Sequence, residues 1–149
     1  MFSADVYRAI TYDAQEAAHE LGNDFVSSEH VLIAILDERT DPSVQLIDSL
    51  AVGGVECVIL SAKEKVKRFG RMFGDNHLRT RLPQTELLVR KAEELANGSR
   101  AERVHLLLQM LAWRESGACE VLSECDVSLA SFAEALKTST SAALLSIPA

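Results

Sequence analysis

Apolar residues recur at three- and four-residue spacing along most of this chain, the pattern of helices that each bury one face. Val6, Ile10, Ala14, Ala17, Ala18 and Leu21 form the first such stripe, with Ser3 or Asp5 available to cap its start and Gly22 to end it. Its alanines predict close approach by a neighbouring helix. After a short turn at 23–27, Ser28 is the expected N-cap of a second helix, with Glu29 in the first turn where the helix dipole favours a carboxylate. Val31, Leu32, Ile33, Ile35 and Leu36 make that helix apolar most of the way round, so it should be the buried one. Asp41-Pro42 reads as a cap followed by proline at the first helical position, opening a short helix through Val44, Leu46, Ile47 and Leu50. Gly53-Gly54 breaks it, and a fourth helix from Val55 carries Val58, Ile59, Ala62, Val66 and Phe69 on one face.

The same order then returns. His30-Val31-Leu32 is echoed by His105-Leu106-Leu107 within Val104–Leu111, and the offset 105 − 30 = 75 also carries Ala17 onto Ala92, Leu36 onto Leu111 and Val52 onto Val127. Matching apolar positions on both sides of the echo mark an internal repeat. Pro83 opens the second copy, whose stripe is Leu87, Leu88, Ala92, Leu95 and Ala96, closed by Gly98. Ala118, Val121, Leu122 and Cys125 predict its short third helix, and Leu129, Phe132, Ala133 and Leu136 its last. No polar–apolar alternation persists long enough to predict a strand. The expected fold is all-α: two tandem four-helix repeats related by a pseudo-two-fold axis, forming one domain over residues 1–137. Repeat one covers about 3–69, a linker 70–81, and repeat two about 82–137; residues 138–149, rich in Ser, Thr and Ala, are expected to be a flexible tail or the start of a linker.

At 149 residues and 48% hydrophobic, the chain can bury one sizeable core without staples. No run of about 18 apolar residues and no secretion signal occurs, which predicts a soluble cytoplasmic protein with no membrane partner. The three cysteines, Cys57, Cys119 and Cys125, fall in helical apolar patterns without metal-ligand spacing, so they are expected to be reduced thiols. The net charge of −7 is uneven: −9 over residues 1–62, +5 over 63–103 and −3 over 104–149. The overall sign argues against a general nucleic-acid binder. The basic stretch 63–81 nevertheless leaves one alternative open, a small helical regulator that binds nucleic acid there.

Catalytic motifs are missing. Gly70 and Gly74 are too close for a phosphate-binding loop and Asp75 follows where lysine is needed, while His19-Glu20 lacks a second histidine four residues after the first. There is no Gly-x-Ser-x-Gly. The chain is therefore expected to be no enzyme and to hold no cofactor and no metal. His30 and His105 read as helix-start residues in matched positions, and Trp113 as a candidate anchor for a partner segment.

Two helical units of about 75 residues, each with an alanine-bearing first helix, a turn and a helix starting (Ser/Thr)-Glu-His-(Leu/Val)-Leu, resemble the Clp N-terminal domain, the repeat pair at the front of Clp and related AAA+ unfoldases. Ser28-Glu29-His30-Val31-Leu32 carries the resemblance in the first copy; Arg103-Val104-His105 stands where Thr-Glu-His is expected in the second. It implies a docking module for adaptor or substrate proteins, serving a Clp ATPase ring in cis or in trans, with no ATPase motif of its own in this chain. In some members the glutamate of each motif helps hold the guanidinium of phosphoarginine, with a threonine near the start of the same repeat. On this sequence the first acid is Glu29, the place of its threonine falls near Ala4, the second acid's place is Val104, and Thr80 lies close to that of the second threonine. The resemblance thus adds Glu29 and Thr80 to Trp113 as the expected partner-binding residues, with Ser28, His30, Leu32, His105 and Leu107 as repeat markers.

Overall fold

The computed structural model describes residues 1–73 and 80–143. The chain is mostly helical. The first predicted helix forms as α1 (Ala4–Arg8), a π-helical turn over Ala9–Asp13, and α2 (Ala14–Glu20), with Ser3 accepting from the Val6 amide at its start. Gly22, at a φ of 78° that a side chain would resist, turns the chain out of it. α3 (Ser28–Leu36) is buried at every position. α4 (Pro42–Leu50) begins as expected, the Asp41 carboxylate accepting from the Ser43 and Val44 amides. α5 (Gly54–Lys67) starts one residue before the expected Val55, because Gly53 in the left-handed region lets Gly54 enter the helix. Then follow α6 (Pro83–Leu95), α7 (Arg103–Ala112), α8 (Gly117–Glu124) and α9 (Leu129–Ala143).

α3 is the hub: it packs against α2, α5, α6, α7 and α8. Each of its aliphatic side chains, Leu32 among them, contributes about 1.5 to 3 kcal/mol by leaving water. One continuous apolar cluster runs from Val6 and Ile10 through Leu32 and Leu36 to Leu107, Leu122 and Phe132, so the two halves of the chain share a core. Contacts of α4 with α7 and α9, and of α5 with α8, cross between them.

Several expectations change. Part of the predicted linker pairs as a strand: β1 (Phe25–Val26) runs parallel to β2 (Thr80–Arg81), Phe25 opposite Thr80 and Val26 opposite Arg81. A reciprocal bridge joins Phe2 to Ala101. In both places the segment just before the first helix of one half pairs with the turn that precedes the buried helix of the other. Alternation cannot announce strands of two residues. The expected tail is helical as far as Ala143, while 144–149 and the linker residues 74–79 lie outside the described residues. Leu87 and Leu95 prove exposed, because α6 turns Thr85, Leu88, Val89 and Ala92 inward. Val52, matched with Val127 by the 75-residue offset, is 64% exposed against 1%. Its amide donates to the Cys125 carbonyl from the surface side of a turn. Phe69 lies past the end of α5 and is exposed rather than on its buried face.

Candidate functional site

A groove of about 500 Å³ opens between the halves, its walls supplied by Phe25, Ser28 and Glu29 from β1 and α3, Lys65 and Phe69 from the end of α5, Leu88 from α6, and Trp113 and Gly117 at the α7–α8 turn. Of the sequence-expected partner residues it brings Glu29 and Trp113 together. Thr80 is placed by its backbone, as the β-partner of Phe25.

The start of α3 is capped by a residue other than Ser28. Ser27 takes the N-cap place, and the His30 ring closes the cap: its Nδ1 accepts from the Ser27 amide at 2.9 Å. With Nδ1 an acceptor, Nε2–H donates to Asn23 Oδ1 at 2.9 Å. Asn23 Nδ2 in turn donates to the carbonyls of Val66 and Gly70 at 2.9 and 2.8 Å, fastening the end of α5 beside α3. Burial holds the His30 pKa down at about 4, although the nearby Glu29 charge works to raise it. The neutral ring is thus a structural part, packed edge-on against Phe25 with ring centres 5.6 Å apart. His105 repeats the device, its Nδ1 accepting from the Glu102 amide at 2.9 Å.

Ser28, released from capping, reaches across the halves: its Oγ accepts from the Ala118 amide at 3.0 Å and donates to Glu29 Oε1 at 3.1 Å. Glu29 is buried, and its charge is met by Lys65, whose Nζ lies 3.4 Å from Oε2. Lys65 also donates to the Gly117 carbonyl at 3.3 Å and pairs with Glu120 at 3.3 Å. This group forms the polar floor of the groove. Gly117 makes it possible, since a Cβ there would stand 2.2 Å from Glu29 Oε2. The residue 75 positions earlier is Pro42, and the one 75 after Glu29 is Val104, so the other half cannot assemble the same floor.

Arg103 uses its position differently. It is buried, donates from Nε to the Ile35 carbonyl at 2.9 Å, and forms an ion pair with Asp5, tying α7 to the end of α3 and the start of α1. Of the basic stretch 63–81, Lys65 faces inward, and Arg81 pairs with Glu86 at 3.2 Å.

The apolar rim is held by short-range polar contacts. Asp24 accepts from the Met72 and Phe73 amides, each at 2.8 Å, and those bonds overcome the desolvation of its carboxyl and keep its pKa below the usual range. They place Met72 on the groove beside Phe69, exposed by 58% and 51% respectively. On the opposite wall, the Ser116 hydroxyl accepts from the Cys119 amide at 3.1 Å and lies 2.8 Å from the Trp113 carbonyl, fixing the turn that presents the indole. Sequence reasoning missed Lys65, Gly117, Asn23 and Met72. Their partners lie tens of residues away, and only glycine at the first position of a helix, after a serine cap, gave a local sign.

No single helix among the described residues is long and apolar enough to cross a membrane. No model of a known protein family matches this chain, and no curated protein is similar enough to match it.

Proposed function

We propose that this chain is a protein-docking module of the Clp N-terminal type, a pair of helical repeats about a pseudo-two-fold axis, that receives an extended polypeptide segment of an adaptor or substrate in the groove between the halves. The observation that carries the reading is the combination of an apolar rim, in which Phe69 and Met72 are exposed and Trp113 is half-buried, with a floor whose buried carboxylate, Glu29, is already paired with Lys65. A preformed, mostly apolar cleft with few fixed polar groups suits binding without chemistry. Matched His30 and His105 caps and the reciprocal β-bridges support the repeat relation. Glu115, which also lines the groove, favours a segment with a basic residue beside its apolar anchor.

The test is fluorescence anisotropy with labelled peptides carrying an aromatic residue next to lysine. Phe69→Ala should weaken binding by about tenfold or more, as for an interface anchor, with the unfolding midpoint unchanged because Phe69 is exposed. Equal affinity for the variant and the parent removes the groove from the reading. Binding of duplex DNA that survives physiological salt would instead favour the nucleic-acid alternative through 63–81.

A further inference from the structure

Cys57 and Cys125 lie 68 residues apart in sequence, yet their Sγ atoms are 3.9 Å apart, in van der Waals contact across the two halves. We propose that this pair is a redox modification site, converted by a hydroperoxide into a Cys57–Cys125 disulfide that fastens α5 to the end of α8.

The surroundings suit the bond. Cys57 sits in the first turn of α5, where Gly53 leaves the space its side chain occupies: a Cβ on Gly53 would stand 2.8 Å from Cys57 Cβ and 3.2 Å from its sulfur. Cys125 is the C-cap of α8, followed by Asp126 in a left-handed turn. The two backbones are already joined by the Val52 amide donating to the Cys125 carbonyl at 3.0 Å. Closing the sulfurs from 3.9 Å to about 2.05 Å joins one helix start to one helix end. Cys119 has no such neighbour; its thiol is directed at the Leu111 carbonyl, 3.6 Å away.

Exposure orders the steps. Cys57 is partly exposed and Cys125 buried, and burial first, then the neighbouring Cys57, raises the Cys125 thiol above its ordinary pKa. The Cys57 thiolate attacks the peroxide, the O–O bond breaks, and Cys57 becomes a sulfenic acid as hydroxide or alkoxide leaves. Cys125 then attacks the Cys57 sulfur; the S–O bond breaks, the S–S bond forms, and the Cys125 proton leaves with the oxygen as water. Two thiols are oxidised and one peroxide is reduced.

The bond would lie at the far end of the α5–α8 seam from Lys65 and its Gly117 and Glu120 partners. It would brace the helices that form the groove floor, and it stands whether or not the groove takes a polypeptide.

The reduced 149-residue chain is exposed to hydrogen peroxide in native buffer, alkylated, digested and mapped by mass spectrometry. The expected product is monomeric, has lost two of its three free thiols, contains the Cys57–Cys125 linked peptide with Cys119 alkylated, and reverts with dithiothreitol. Cys119→Ser should give the same linkage at the same rate, and Cys57→Ser and Cys125→Ser, each conservative in size, should give none. The linkage should form at least about tenfold faster in native buffer than in urea, because the fold holds the sulfurs together, and the oxidised chain should unfold at higher denaturant. Linkages through Cys119, dimers only, over-oxidised Cys57 without a bridge, or equal rates in urea would each overturn the proposal.

Discussion

A missing methyl group makes room for the floor of the groove. Gly117 leaves room for the Glu29 carboxylate, which draws in Lys65, which in turn gathers the Gly117 carbonyl and Glu120. Gly117→Ala must push the carboxylate or shift α8. Overpacking of this kind costs about 1 to 3 kcal/mol, and urea unfolding followed through Trp113, the one tryptophan, should read that loss. A change under about 0.5 kcal/mol, the range of an ordinary surface substitution, would mean that Glu29 is not confined as described. Glu29 could be singled out in the sequence because its motif is local. Lys65 could not, since nothing near it points to an acid 36 positions earlier.

Among the elements, α3 and α7 show how a helix start becomes a structural device. A histidine at the third helical position returns a hydrogen bond to the capping residue's amide, a task usually given to Glu or Gln. His30 does this while fully buried, so the neutral ring is required, with Nδ1 facing a donor. Its pKa of about 4 lies below the ordinary value of 6.5. As pH falls below 6.5 the unfolded chain takes up a proton that the native ring refuses until about pH 4. The stability is complete above 6.5, declines through that window, and totals roughly 3 kcal/mol at 1.4 per unit. An NMR titration should find the His30 ring resonances unchanged from pH 8 to 5; a midpoint near 6.5 would contradict the burial. The first helix shows the reverse case, in which local pattern concealed a feature. A π-turn at Ala9–Asp13 interrupts it between α1 and α2. The stripe from Val6 to Leu21 carries no sign of that turn, because a π-turn changes phase by one residue and both phases meet apolar positions.

For the molecule as a whole, the shared cluster from Val6 to Phe132 makes each half the cover of the other. Arg103 on the Ile35 carbonyl and Ser28 on the Ala118 amide stitch the same seam with polar bonds. The chain should therefore unfold in a single transition, with calorimetric and van't Hoff enthalpies equal, and a fragment ending at residue 73 should lack cooperative unfolding. Two separable transitions would show independent halves. Helix existence, order and most boundaries were legible in advance, because caps, prolines, glycines and apolar spacing act within a few residues. Asp41-Pro42, Pro83 and Gly22 stand where their local chemistry put them. The short β-pairings, the exposure of Val52, Phe69, Leu87 and Leu95, the groove floor and the contact between Cys57 and Cys125 were not legible. Each depends on which surfaces meet when the halves close, and hydrophobic attraction has no direction by which a single chain position could announce its partner. The sequence by itself determined an all-α chain with a buried helix at its centre. Tertiary structure alone decided which side chains share a cleft, because that requires distant residues to come within bonding distance.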